Sequence, residues 1–391
     1  MIMIQPQGAI SQFQEQSKTI NMKNIFTLAI AAAVLVGCAK TEANYTEAQE
    51  ISFMPVSKFE TKAAVTGETY GSNLPFYAFA NAKTDGADYF VSKYFEKVLF
   101  VPKTGVTTTN NTQTLQVYGG ENPQYWPNVN PLVFAGLTKS GNIEALPVND
   151  YNVDSRIETA DELSKMEIYG YVQPWSVTET VENDFMYFFA DNNNAGFTKD
   201  TPYVVPVMKH ACSWITINIK ADSELVSYWQ DLKVTDIHFE ELHLCGNATL
   251  RCDREANASN PAVSWEVSGA ATPSVKIFEE GKNPTDNFSN AVTAEFKTFE
   301  SVTNNTIVIP QSPAQLSVTY TYTTPAGLAN FQETKILSLD YDGNNAWAPG
   351  KHYTYDLTLT AEEIKIAPSS TNWDSDLNDN DQNDDNIAKP F

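Results

Sequence analysis

The chain has 391 residues, with 25 Lys and Arg against 48 Asp and Glu and a formal net charge of −23. That balance argues against a surface built to hold nucleic-acid phosphates or an anionic membrane face. The length, less an N-terminal leader, suits two domains that each bury a core of their own.

Behind Met22-Lys23-Asn24 the sequence reads IFTLAIAAAVLVGC up to Cys38. A short basic start and an apolar run well short of the roughly 20 residues a membrane-spanning helix needs are the marks of a processed export signal. Leu35-Val36-Gly37-Cys38 has the form of a bacterial lipobox. Residues 1–37 are therefore expected to be an export signal with Met22 as its start, and Cys38 the lipidated first residue of the mature chain. Residues 38–50 follow as a polar, acidic tether.

The first alternating strand is expected at 51–56, carrying Ile51, Phe53 and Val56, with Lys58 and Lys62 just beyond it. Short apolar or alternating runs then recur at 74–79, 97–101, 114–118 and 131–135, separated by Asn, Gly, Pro and Thr. Thr159-Ala160-Asp161-Glu162 has capping-box form and predicts a helix through Leu163, Met166 and Tyr169. Residues 184–190 are apolar on both faces and predict a central strand. Residues 202–206 read as a joint between domains.

In the second half, Ile215, Ile217 and Ile219 fall on one face of a half-buried strand, with Trp214, Thr216 and Asn218 on the other. Residues 223–233 predict one short helix, since Leu225, Trp229 and Leu232 share a face. Residues 316–322 and 353–359 alternate apolar or aromatic residues with polar ones, and the second run follows the turn Ala348-Pro349-Gly350. Long period-two strands with one polar face imply antiparallel sheets packed through the other. The fold class is thus all-β: two β-sandwich domains in series, 51–205 and 206–373, with one or two short helices. From Asp374 the chain is almost wholly Asp and Asn, and 374–391 is expected to be an acidic tail without order.

No catalytic constellation emerges. His238 and His243 are five residues apart, whereas a zinc helix of this kind needs its histidines four apart with a glutamate right after the first. Asp374, Asp376 and Asn378 begin like a calcium loop, but Asp379 stands where glycine is required and Asp385 where glutamate is. Neither a metal, a cofactor nor an enzymatic activity is expected. Cys245 and Cys252 flank Gly246-Asn247 and are a candidate hairpin disulfide if export is to an oxidising space. Trp126 and Trp347 stand in turn sequences and are candidates for a sugar-stacking platform.

Several stretches together resemble the fimbrillin family of Bacteroidales, the lipoprotein subunits of type V pili. They are the lipobox at Cys38, Phe59-Glu60-Thr61-Lys62-Ala63, Tyr125-Trp126-Pro127 ahead of Leu132-Val133-Phe134, Val207-Met208-Lys209-His210-Ala211, and Ala348-Pro349-Gly350-Lys351-His352-Tyr353-Thr354-Tyr355. The resemblance implies transthyretin-like topology in both domains, an outer-membrane lipid anchor and surface exposure in a fimbrium. It implies proteolysis after the first strand, at Lys58 or Lys62, and filling of the vacated groove by a strand from a neighbouring subunit. Lys62 stands where many members have arginine, so an arginine-only protease would not cut there. The candidate donor segment is 363–373 with Ile364 and Ile366. The expected partners are other fimbrial subunits and host or bacterial surface ligands, and a tip or accessory position is expected over the stalk, since Ile51 to Val56 imply a groove while the acidic tail cannot serve as a donor strand. The competing reading is a surface glycan-binding lipoprotein.

Overall fold

The structure is a computed structural model that describes residues 48–372, apart from 57–73, 84–89, 111–112, 152, 178, 180, 182, 283–288, 300–305 and 341–345. The expected export signal, Cys38, Lys58, Lys62 and the expected acidic tail therefore lie outside the described residues. Of the expected tether only 48–50 are described, and the last two are already paired: Trp126 N–H donates to Gln49 O, and Glu50 bridges to Tyr125.

Period-two patterning dominates the chain, and strands follow it. The first are β1 (Ser52–Phe53), β2 (Phe76–Ala82), β3 (Ser92–Asn110), β4 (Gln113–Gly120) and β5 (Leu132–Thr138). Next come β6 (Arg156–Thr159), β7 (Lys165–Val172), β8 (Met186–Ala190) and β9 (Lys209–His210). The second half opens with β10 (Ser213–Ala221), helix α1 (Ser223–Tyr228), β11 (Gln230–Glu240), β12 (Cys245–Arg251), β13 (Val263–Val267) and β14 (Val275–Glu279). It ends with β15 (Lys297–Phe299), β16 (Thr306–Val308), β17 (Gln315–Thr323), β18 (Phe331–Ser338), β19 (Lys351–Leu359) and β20 (Ile364–Asn372).

Seven strands form one sheet in the order β1-β4-β3-β2-β5-β8-β9. The chain just before β9 returns to β1, because Val204 and Val207 bridge to Phe53 and Val56 in parallel. The sheet thus closes on itself, and β1 is the strand that closes it. Strands β2 and β5 are buried on both faces for this reason. Phe76, Ala78 and Ala80 face the enclosed core, and Tyr77 and Phe79 face a second sheet of order β13-β12-β7-β6. As the sequence implies, β8 is an interior strand, lying between β5 and β9.

The second sandwich packs β15-β10-β19-β20, with β16 also on β10, against β14-β11-β17-β18. Ile215, Ile217 and Ile219 meet Tyr355, Leu357, Phe239, Val318 and Tyr320 in its core. The β10–β19 pair is parallel and the other named pairs of these sheets are antiparallel.

Three expectations need correction. The helix at 159–169 is a β6–β7 hairpin: Ala160 N–H donates to Lys165 O, Leu163 sits at φ 51, and Met166 and Ile168 then alternate inward. Period two in Lys165-Met166-Glu167-Ile168 outweighs a cap signal that also suits a turn. A boundary at 205/206 does not separate the sheets, because β12 pairs with β7 and β13 with β12, which sends Ala248, Leu250 and Val263 into the first sandwich. The expected helix at 223–233 ends at Tyr228. Asp222 caps it by accepting from Glu224 N–H at 2.7 Å, while Leu232 already belongs to β11.

Candidate functional site: the closing strand and its groove

Ile51 and Phe53 are fully buried, and Met54 and Val56 point the other way, into a small cluster with Leu115, Val117, Tyr203 and Val205. This follows from the two-residue period of an extended chain, which sends odd and even positions to opposite faces. The strand is held on both flanks. On one side Ser52 and Phe53 pair with Gly119 and Tyr118 of β4, and Ile51 N–H donates to Gln124 O at 2.7 Å. On the other, Met54 N–H donates to Val204 O at 2.8 Å and Val204 N–H to Ser52 O at 3.0 Å. Val56 N–H then donates to Pro206 O at 3.0 Å, and Met208 N–H to Val56 O at 2.8 Å. Glu50 adds an ion pair with Lys103 at 2.8 Å.

Phe53 fills a socket of aromatic rings. Its centroid lies 4.7 Å from Phe100 and 5.2 Å from Phe134, both edge-on, with Phe76 at 5.6 Å and Phe188 at 5.9 Å. Edge-to-face contacts of this kind add to the burial of the ring, itself about 1.5–3 kcal/mol. Tyr118, beside the socket, has its phenol pushed far above the ordinary range by burial, as suits a low-dielectric interior. Gly136 of β5 stands next to Phe188 in register, and a Cβ there would overlap the Phe188 ring. Lift out residues 49–56 and a trough remains, with main-chain donors and acceptors along both walls and an aromatic socket in its floor.

The other candidates disperse. Ile364 and Ile366 lie in β20, opposite Leu359 and Leu357 of β19, and Ile364 belongs to the second core. The candidate donor segment therefore completes this chain's own sheet. Cys245 and Cys252 stand at the start and just past the end of the same strand, with Gly246-Asn247 inside it rather than in a turn. Seven extended residues separate them by about 23 Å, far beyond the roughly 7 Å that a disulfide bridges. All three cysteines of the described fold are free thiols, and burial drives the Cys212 and Cys252 thiols up, the latter to about 11. Trp126 and Trp347 are 6% and 1% exposed. The first packs edge-on against Phe134, and the second donates from Nε1 to Tyr355 Oη at 2.9 Å, so neither offers a face to a sugar. His238 is held between Asp236 and Glu240, while His243 donates its backbone N–H to Gln311 Oε1. No group of three or more His, Cys, Asp and Glu among the described residues could hold a metal ion.

The fimbrillin-like family profile matches residues 61–373. The chain belongs to the fimbrillin-like family. It is accordingly a non-enzymatic pilus protein, of the kind that associates with other fimbrial subunits at the cell surface. No curated protein matches the sequence. Among solved structures, a fimbrial protein from Bacteroides vulgatus is 14% identical, with 83% of this chain and 99% of that one covered and a TM-score of 0.46. A protein from Bacteroides uniformis assigned to cell adhesion gives 14%, 83%, 98% and 0.46. The tip fimbrial protein Mfa3 from Porphyromonas gingivalis gives 11%, 83%, 100% and 0.35. In this fimbrillin-like chain the matched span begins after β1 and ends one residue past β20. What sequence reasoning missed is the second flank of β1, since a parallel bridge from residues 204–207 has no local signature.

Proposed function

We propose that this subunit assembles by giving up its first strand. Cleavage after Lys58 or Lys62 releases Ile51, Phe53 and Val56 with the lipidated Cys38, and an extended strand from a neighbouring subunit fills the trough. The observation that carries this reading is the double-flanked, fully buried position of β1, where one segment supplies both the hydrogen bonds of the walls and the ring in the floor. Strand addition of this type takes affinity from main-chain hydrogen bonds and selectivity from alternate side-chain pockets. That the family match starts at residue 61, between Lys58 and Lys62 and after β1, supports the same division.

The precursor is anchored in the outer membrane through Cys38, and the mature subunit stands in the fimbrium and mediates surface adhesion. A tip or accessory position fits best, because Ile364 and Ile366 are engaged in the chain's own sheet. The glycan-binding alternative loses its proposed platform with the burial of Trp126 and Trp347. N-terminal sequencing of the subunit recovered from filaments tests the reading. A start near Ala63 is expected, and a start at Cys38 within assembled filaments would refute it.

A further inference from the structure

We infer that β18 is a self-complementary edge through which two copies of this chain join their second sandwiches into one continuous sheet. Strand β18 ends the sheet β14-β11-β17-β18, and its register with β17 runs unbroken from Gln315↔Ser338 to Tyr322↔Phe331. Exposed edges invite pairing, and proteins ordinarily blunt them with proline, bulges, brevity or charged side chains. The other described edges of the molecule carry those devices. β20 has Pro368, the β11–β14 register shifts between Ile237 and His238, and β6, β13, β15 and β16 have three to five residues each. β18 has eight residues, no proline and no bulge, and its two charges, Glu333 and Lys335, are of opposite sign, so a second copy in the right register meets them with complementary charge.

Its sequence, FQETKILS, selects the partner. Two copies related by a two-fold axis pair antiparallel, and side chains directly opposite share a face, so the axis must pass through a residue. With Thr334 on the axis, Glu333 faces the partner's Lys335 twice by symmetry. Phe331 likewise faces the partner's Leu337 and Gln332 the partner's Ile336. Moving the axis by one residue either way sets Lys335 against Lys335 or Glu333 against Glu333, which like-charge repulsion disfavours. The side chains are placed for the first arrangement. Lys335 lies 3.2 Å from Glu333 and both remain partly exposed. Glu333 is oriented by hydroxyls donated from Tyr322 at 2.7 Å and Tyr320 at 3.0 Å. Phe331 and Ile336, 44% and 59% exposed, gain cover in the pair, and Leu337 already borders the second core, so that core would continue across the axis.

Sedimentation velocity of the full chain, with β1 in place and near physiological ionic strength, tests this apart from any exchange at the groove. Screening over a Debye length of about 8 Å limits the mutual repulsion of two acidic chains there. A concentration-dependent dimer is expected. Lys335→Glu sets two pairs of glutamates across the axis and Glu333→Lys two pairs of lysines, so each variant alone should dimerise roughly tenfold or more weakly. Mixed, the two restore both opposite-charge pairs and should form a heterodimer. Circular dichroism checks that each variant is folded; if Glu333→Lys is not, Thr334→Lys, which places two like charges on the axis, takes its place in the single-variant comparison. A wild-type chain that stays monomeric, folded variants that dimerise as wild type does, or folded Lys335→Glu and Glu333→Lys chains that fail to associate when mixed would each overturn the inference.

Discussion

Strands β1 and β20 are the first and last strands of the described chain, and they are held in different ways. The first is short, paired on both sides and aimed inward, with Phe53 surrounded by four phenylalanine rings. The second is longer, paired only with β19, and interrupted by Pro368, with Ile364 and Ile366 as its apolar contacts to the second core. Removing β1 would open a closed sheet and expose an aromatic floor, whereas removing β20 would uncover only the edge of a sandwich. The contrast teaches that an acceptor site needs two walls and a floor, while a donor needs a regular row of apolar side chains. This chain supplies the first more clearly than the second.

The comparison is broken most sharply at Phe53. Phe53→Ala empties the socket and should cost about 3–5 kcal/mol in urea-induced unfolding. A loss under about 1 kcal/mol would mean that the socket collapses around the gap and that β1 is not the keystone of the first core. A smaller effect is expected from the floor itself, where Gly136→Ala drives a Cβ into the Phe188 ring and should destabilise by about 1–3 kcal/mol through overpacking. At the other end, Ile364→Ala should cost about 2 kcal/mol or less, since one side of β20 already faces solvent and the site can relax. A cost matching that of Phe53→Ala would erase the distinction between the two strands. Least of all should follow from deleting 374–391, an acidic segment with few apolar groups, for which a stability change within about 0.5 kcal/mol and unchanged filament incorporation are expected. Lost incorporation by a folded monomer would make the tail the assembly element.

Sequence reasoning reached the elements whose evidence is local. Alternation in Leu316-Ser317-Val318-Thr319-Tyr320 and in Tyr353-Thr354-Tyr355-Asp356-Leu357 sufficed to place β17 and β19, and the apolar run before Ala190 sufficed for an interior strand. It failed where one signal serves two structures, as with Thr159 to Glu162, whose cap-like residues make a hairpin turn because the residues after them alternate. It also failed where partners are distant. Nothing in Gly246, Ala248 and Leu250 says that their strand pairs with the distant β7 as well as with its neighbour β13, so the apparent joint at 202–206 concealed an exchange of β12 and β13 into the first sandwich. The candidate site was half legible for the same reason. Ile51 and Phe53 announce a strand that buries one face, but the wall formed by 204–207 is set by tertiary pairing alone.

Rebinding of the released strand tests the central claim most directly. The full chain would be cleaved with a lysine-specific protease under native conditions, the N-terminal fragment removed, and a synthetic peptide of residues 49–56 titrated into intact and cleaved protein by fluorescence anisotropy. The account expects saturable binding to the cleaved chain alone, with a peptide carrying Phe53→Ala binding at least tenfold more weakly because it leaves the aromatic socket empty. Equal binding of the two peptides, or no binding to a cleaved chain that remains folded, would show that β1 does not occupy an acceptor groove.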